Sequence, residues 1–201
     1  MTTKATERAR LLKAFQQLFD VRKENNGVNS IDIEEMQKYI SKGVDVDALL
    51  QFDKMEKWNA LQWACDRSRV DVVTILVESG GANLDVLDIG KMTTLHISAG
   101  VGAYDVVRFL LSNGCKKHVN AKDKDYETPL HLCADYGSEK VFDLLIEHGA
   151  NPFILNTQNQ SPIELLIESS STTMQRKARR KKYKKILKSA KNVPLESTKV
   201  N

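Results

Sequence analysis

Residues 123–156 read DKDYETPLHLCADYGSEKVFDLLIEHGANPFILN, and this stretch decides the fold. Thr128 can cap a helix, and Pro129 suits the first helical turn, where a missing N–H costs nothing. Leu130, Cys133 and Ala134 give that helix a small apolar face that lets neighbouring helices come close. Gly137 breaks it, and Val141, Phe142, Leu144, Leu145 and Ile146 give a second, antiparallel helix a wider buried face. Gly149 ends that helix, since glycine enters the left-handed backbone region without steric cost. One such helical pair cannot cover its own apolar side, so it demands neighbours.

Copies stand on both sides. Upstream, Thr93-Thr94-Leu95-His96-Ile97-Ser98-Ala99 repeats the opening, and Gly102, Val106-Val107, Phe109-Leu110-Leu111 and Gly114 repeat the remainder. A weaker copy runs from Asn59-Ala60-Leu61-Gln62-Trp63-Ala64-Cys65 through Val72-Val73 and Ile75-Leu76-Val77 to Gly80. Ser161-Pro162-Ile163-Glu164-Leu165 opens one more. The openings at Asn59, Thr93, Thr128 and Ser161 lie 34, 35 and 33 residues apart, a period that belongs to stacked repeats. With Thr128-Pro129-Leu130-His131 as its signature, the chain resembles the ankyrin-repeat family over about residues 32–175.

The resemblance implies an all-α ankyrin-repeat solenoid of about four repeats. Residues 1–50 then form an N-terminal helical cap with an atypical first repeat, 51–172 the repeats, and 173–201 a basic capping helix and tail. Two departures stand out. The hairpin position that the family usually fills with glycine holds Lys91, Tyr126 and Asn159. The segments 53–59 and 80–83 are each one residue longer than their counterparts.

In the cap, Leu11, Leu12, Phe15, Leu18 and Phe19 recur at helical spacing and predict a helix over 4–24, closed by Asn25-Asn26-Gly27. Asp32 is the predicted cap of the next helix, with Glu35 three residues on and Ile31 able to staple Met36. Ile33, Met36, Tyr39, Ile40 and Gly43 align with Val70, Val73, Leu76, Val77 and Gly80, so this is the second helix of a first repeat. The same stretch, 14–36, also resembles a degenerate EF-hand, with Glu35 as its last ligand. A twelve-residue loop ending there puts Val28 at an oxygen-ligand position and Gly27 off the sharp turn.

Composition sets the outer bounds. The chain has 201 residues, 41% of them hydrophobic, enough for one packed domain. No apolar run approaches the ~20 residues of a membrane span. The start lacks a secretory signal; it is amphipathic and Arg-bearing like a mitochondrial presequence, but Glu7 and the fit to a capping helix argue against one. Cys65 and Cys133 fall where the repeat pattern places alanine, and three thiols point to a reducing, cytoplasmic or nuclear compartment. The net charge of +4 hides a split: ten Lys or Arg lie between 176 and 191, leaving 20 basic against 26 acidic residues elsewhere.

Chemistry-bearing motifs are few. His96 and His131, one repeat apart, are expected about 10 Å from each other, too far to share a metal. The resemblance gives each a structural role, bonding the backbone of adjoining loops. His118 and His148 have no ligand-spaced neighbours, and no nucleophile, Walker or metalloprotease motif occurs. No catalytic residue, metal or cofactor is therefore expected.

What remains is surface. The family's partner-binding positions, carried over, are Lys54, Met55, Trp58, Asp66 and Arg67 in the first full repeat and Ile89, Gly90, Met92, Gly100 and Val101 in the second. In the third they are Lys124, Asp125, Glu127, Asp135 and Tyr136, and in the fourth Thr157, Gln158 and Gln160. They imply a protein-binding adaptor, regulatory subunit or assembly component. Trp58 has a second reading, folded back onto Trp63 or the cap. The basic run Arg176, Lys177, Arg179, Arg180, Lys181, Lys182, Lys184 and Lys185 reads as a solvated helix face, a nuclear localisation signal or a site for RNA or another polyanion. A calcium-responsive module is the third class of function.

Overall fold

Each repeat's first helix begins where a capping side chain stands ready. In the computed structural model, which describes residues 4–19, 31–50, 58–169 and 172–190, Asn59, Thr93, Thr128 and Ser161 sit in extended backbone and exchange hydrogen bonds with the residue three places on. That reciprocal bond satisfies two helix-end donors at once. The chain forms two compact units, Met1–Leu84 and Asp85–Asn201. The described residues contain no β-strand, only one isolated antiparallel bridge between Leu49 and Asn59.

The first unit holds α1 (Lys4–Gln17), α2 (Ile33–Ser41), α3 (Ala60–Asp66) and α4 (Val70–Glu78). Asp32 Oδ1 accepts the Glu35 N–H at 2.9 Å and starts α2 as expected. The core is aromatic. Phe15 meets Phe19 edge-on at 5.2 Å and Tyr39 at 6.4 Å, and Phe19 meets Trp63 at 5.3 Å. Met36, Leu50, Leu61, Val73 and Leu76 are buried with them, each stabilising the unit by roughly 1.5–3 kcal/mol. Of the predicted helix 4–24, α1 covers Lys4–Gln17, Leu18 and Phe19 form a turn with hydrogen bonds back to Phe15 and Gln16, and 20–24 lie outside the described residues. Phe19 is 1% exposed, because the turn delivers its ring to Phe15 and Trp63. Residues 20–30, which hold the larger part of the EF-hand-like loop ending at Glu35, lie outside the described residues. Glu35 itself accepts the Tyr39 hydroxyl at 2.9 Å.

The second unit repeats one plan. Helices α5 (Thr94–Gly100) and α6 (Tyr104–Ser112), then α7 (Pro129–Tyr136) and α8 (Glu139–Glu147), form hairpins joined by short turns. A 3-10 turn, Cys115–His118, follows α6. Helix α9 (Pro162–Glu168) opens the next repeat, and α10 (Thr173–Lys182) and α11 (Lys184–Ala190) are the last described elements. First helices pack on first helices, α5 on α7 and α7 on α9, while α6 packs on α8. Their small apolar faces permit it: Leu95, Ala99, Leu130, Cys133 and Ala134 are all fully buried. Two predicted thiols in helix interiors, Cys65 and Cys133, are indeed buried, as is Cys115.

Besides the glycines that close the second helices, Gly43, Gly81, Gly114 and Gly149, two positions per repeat take left-handed backbone. One follows the first helix, where φ is +70° at Gly102 and +80° at Gly137, but Ser68 takes it at 55°. The other lies two residues before the cap and is filled by Lys91 (φ 62°), Tyr126 (60°) and Asn159 (58°). These are the residues that replace the family's usual glycine, and a side chain there costs about 1–2 kcal/mol outside Asn or Asp. The loops that hold them must therefore be stabilised by other bonds.

Candidate interaction surface

Those other bonds come from one side chain per finger loop. Asp88 Oδ1 accepts the N–H of Gly90 at 2.7 Å and of Met92 at 2.8 Å. Asp123 Oδ1 does the same for Asp125 and Glu127, both at 2.9 Å, and Asn156 Oδ1 for Gln158 and Gln160, both at 3.0 Å. Successive loops are then tied to each other: the Lys124 N–H donates to the Gly90 carbonyl and the Thr157 N–H to the Asp125 carbonyl, both at 3.0 Å. A row of loops results, ordered by its own backbone. These Asx residues escaped the reading of the sequence, although each stands five residues before a cap.

The histidines clamp the row to the helices. His96 Nδ1 accepts the Thr93 N–H at 3.1 Å, so Nε2 carries the proton and donates to the Glu127 carbonyl of the next loop at 3.0 Å. His131 repeats this with Thr128 at 3.0 Å and the Gln160 carbonyl at 3.2 Å. Burial pushes both imidazoles below their ordinary range, His131 to about 4, against the opposing effect of the carbonyls they face. Both are structural, in the role the family resemblance implied.

Above this frame lie the expected partner-binding residues of the second unit. Ile89 and Tyr136 are each 66% exposed. Tyr136 is nonetheless located, because its ring lies against Gly102, where an added Cβ would meet it at 3.1 Å. Met92 and Val101 are half-buried, Lys124, Asp125 and Asp135 exposed. Glu127 is half-buried and accepts from Asn156 Nδ2 at 3.1 Å. Burial raises its carboxyl, and Asp123, Asp125 and Asp135 add to the rise despite the Asn156 donor. Acidic groups thus converge on the third repeat. Leu87, 56% exposed, is an apolar neighbour of Ile89 in sequence that the family positions did not include.

In the first unit, Trp58 is half-buried and its carbonyl accepts the Leu50 N–H at 2.6 Å. Arg67 is exposed, lies over the Trp63 ring at 5.9 Å and pairs with Asp66 at 3.5 Å. Lys54 and Met55 lie outside the described residues. Gln62 replaces the histidine: its Oε1 accepts the Asn59 N–H at 3.1 Å. Its buried Nε2, like Trp63 Nε1, finds no partner among the described residues.

The basic C-terminal helices depart from the expectation that their charges all face water. Arg179 Nε donates to Glu139 Oε1 at 2.8 Å, and its other nitrogens reach the Leu166 carbonyl, Ser169 Oγ and the Gly137 carbonyl. Lys182 bridges Glu139 at 2.9 Å and Asp143 at 2.8 Å. Burial alone would raise Glu139, but Lys182 and Arg179 outweigh it and hold the carboxyl below its usual range. Tyr183, 4% exposed, stacks edge-on to Phe142 at 5.4 Å and donates to Asp143 at 2.8 Å. Arg176 and Arg180 pair with Glu168 at 3.2 and 3.3 Å. An open hollow of about 560 Å³ lies beside this network, lined among others by Tyr136, Gln175 and Ala178.

Comparison with known proteins decides the family. The model for three copies of ankyrin repeats matches residues 28–123, and the single ankyrin-repeat model matches 125–157. The chain belongs to the ankyrin-repeat family. Its α9, capped by Ser161, carries the family pattern past the last matched residue. Similar curated proteins include palmitoyltransferase AKR1 of Lachancea kluyveri, 31% identical over 110 residues, covering 54% of this chain and 15% of that protein. The BTB/POZ domain and ankyrin repeat-containing protein NBCL of Lupinus angustifolius is 29% identical over 117 residues, 55% of this chain and 22% of that one. E3 ubiquitin-protein ligase KEG of Arabidopsis thaliana is 22% identical over 130 residues, 65% of this chain and 8% of that one. The chain spans less than a quarter of each of these relatives. Ankyrin repeats are in general non-catalytic modules that bind other proteins, and these relatives have varied roles. No helix among the described residues is long and apolar enough to cross a membrane.

Proposed function

We propose that this chain is a non-catalytic adaptor, regulatory subunit or assembly component that grips a partner protein with the finger loops and first-helix faces of its second unit. One observation carries the reading: exposed apolar side chains stand on backbone that is already immobilised. Ile89 and Tyr136 are both 66% exposed, yet one rides a loop held by Asp88 and the other rests on Gly102. Binding to such a surface costs little ordering entropy, and tyrosine is favoured at interface hot spots. Asp125, Glu127 and Asp135 beside Tyr136 suit a partner segment that brings an apolar anchor together with Lys or Arg. Three buried thiols support a reducing compartment, cytoplasmic or nuclear.

The test is an Ile89→Ala, Tyr136→Ala double variant. Both side chains are largely in solvent, so thermal stability should stay within about 0.5 kcal/mol of the parent for each. A partner protein captured with the intact chain, purified and titrated, should lose more than about tenfold in affinity. Equal affinity for parent and variant would place the grip elsewhere.

A further inference from the structure

We propose that the outward face of α10 and α11 binds the phosphate backbone of duplex nucleic acid without reading its sequence. The cations of these helices sort by direction. Arg179 and Lys182 are committed to Glu139 and Asp143, and Arg176 and Arg180 to Glu168. Lys177, Lys181, Lys184, Lys185 and Lys188 are exposed, with no ion pair or side-chain hydrogen bond among the described residues. Backbone bonds from Tyr183 to Arg179 and from Leu187 to Tyr183 carry the helical path across the junction. At 3.6 residues per turn, the five lysines fall within a sector of roughly 100°, opposite Arg179, Tyr183 and Ile186. They span about 16 Å along the axis.

The division of labour follows side-chain chemistry. Arginine, with a rigid fork of donors, takes most of the fixed pairing to carboxylates and carbonyls; Lys182 joins it, and the other five lysines, mobile point charges, are left outside. No acidic residue occurs from 172 to 190, so the stripe is unopposed on its own helices. Duplex nucleic acid presents one charge per ~1.7 Å of axis, both strands counted, a density that long, flexible lysines can engage without a fixed register. A membrane surface fits less well. Insertion needs an apolar face, and Tyr183 is buried in the protein, Ile186 and Leu187 are half-buried, and Met174, 82% exposed, stands alone. The buried Tyr183 also leaves no aromatic platform for stacking bases.

The experiment uses the full chain and fluorescein-labelled RNA and DNA duplexes of random sequence, read by anisotropy from about 50 to about 200 mM salt. Five neutralised phosphates give a slope of log affinity against log salt near −4 to −5, a loss of several hundredfold over that range. Replacing Lys177, Lys181, Lys184, Lys185 and Lys188 with glutamine, which keeps helix propensity, should abolish the salt-sensitive binding. A control variant with glutamine at Lys38, Lys42, Lys91, Lys116 and Lys140 removes the same charge and should keep it. Similar affinity for RNA and DNA supports backbone contact. Equal weakening of both variants, a strong preference for one base sequence, or tighter binding to phosphatidylserine vesicles or polyglutamate at the same salt overturns the proposal.

Discussion

The α3–α4 hairpin of the first unit and the hairpins of the second share a cap but not a clamp. Asn59 and Gln62 exchange the same pair of bonds as Thr93 with His96 and Thr128 with His131. The difference lies in the spare nitrogen. In the second unit an imidazole Nε2 reaches the carbonyl of the following loop, whereas the Gln62 amide nitrogen is buried with no partner among the described residues. Capping is local, and any short acceptor serves. Clamping a neighbouring loop needs a second polar atom held rigidly at a fixed distance. The first unit relies on aromatic contact in its place.

The contrast can be broken from the first unit, with the largest expected effect. Phe15 is 1% exposed, and Phe15→Ala should cost about 3–5 kcal/mol. Both tryptophans, Trp58 and Trp63, belong to this unit, so their fluorescence reports it directly. An unchanged urea midpoint by tryptophan emission would mean the aromatic cluster is not what holds it.

The second unit should instead be sensitive to acid. All four histidines lie in it. With His131 held at about 4 against an unfolded value of about 6.5, the unfolded chain binds more protons between those limits. Stability therefore rises with pH in that window and is lost as pH falls through it. The loss from His131 amounts to roughly 3 kcal/mol. His131→Gln, which keeps the cap as Gln62 does, should lose about that much less than the parent between about pH 7 and pH 4. Parallel pH profiles of parent and variant would show that the proton is not excluded at this site.

The smallest effect compares one position in two repeats. Ser68 sits at φ 55° where Gly102 and Gly137 stand in the second unit. Ser68→Gly should stabilise by about 0.5–1 kcal/mol, while Gly102→Ala should cost about 1–2 kcal/mol. The second change also drives a methyl group into the Tyr136 ring. Thermal melts that move the same way for both substitutions would contradict the left-handed assignment.

Much of this was legible in the residue pattern because it is local. Caps at Asn59, Thr93, Thr128 and Ser161, the role of His96 and His131 through the family likeness, and the burial of Cys65 and Cys133 all follow from spacing within one repeat or between adjacent ones. The glycine substitutions at Lys91, Tyr126 and Asn159 marked the strained loop position in advance. Asp88, Asp123 and Asn156 were equally periodic, but a polar residue in a loop looks like any other until its acceptor is seen. The early end of α1 was hidden because Phe19 suits a helix by spacing and a turn by contact.

The amino-acid order by itself determined that the chain is built from helical pairs of about 33–35 residues, since hydrogen bonding and apolar periodicity act over neighbouring turns. It could not say which cations of the basic segment are spoken for. Arg179 finds Glu139 forty positions earlier, and Tyr183 finds Asp143 at the same remove. Only packing brings such groups within hydrogen-bond reach, because the direction of each side chain is set by how one helix lies on another, and no spacing along a single helix carries that information.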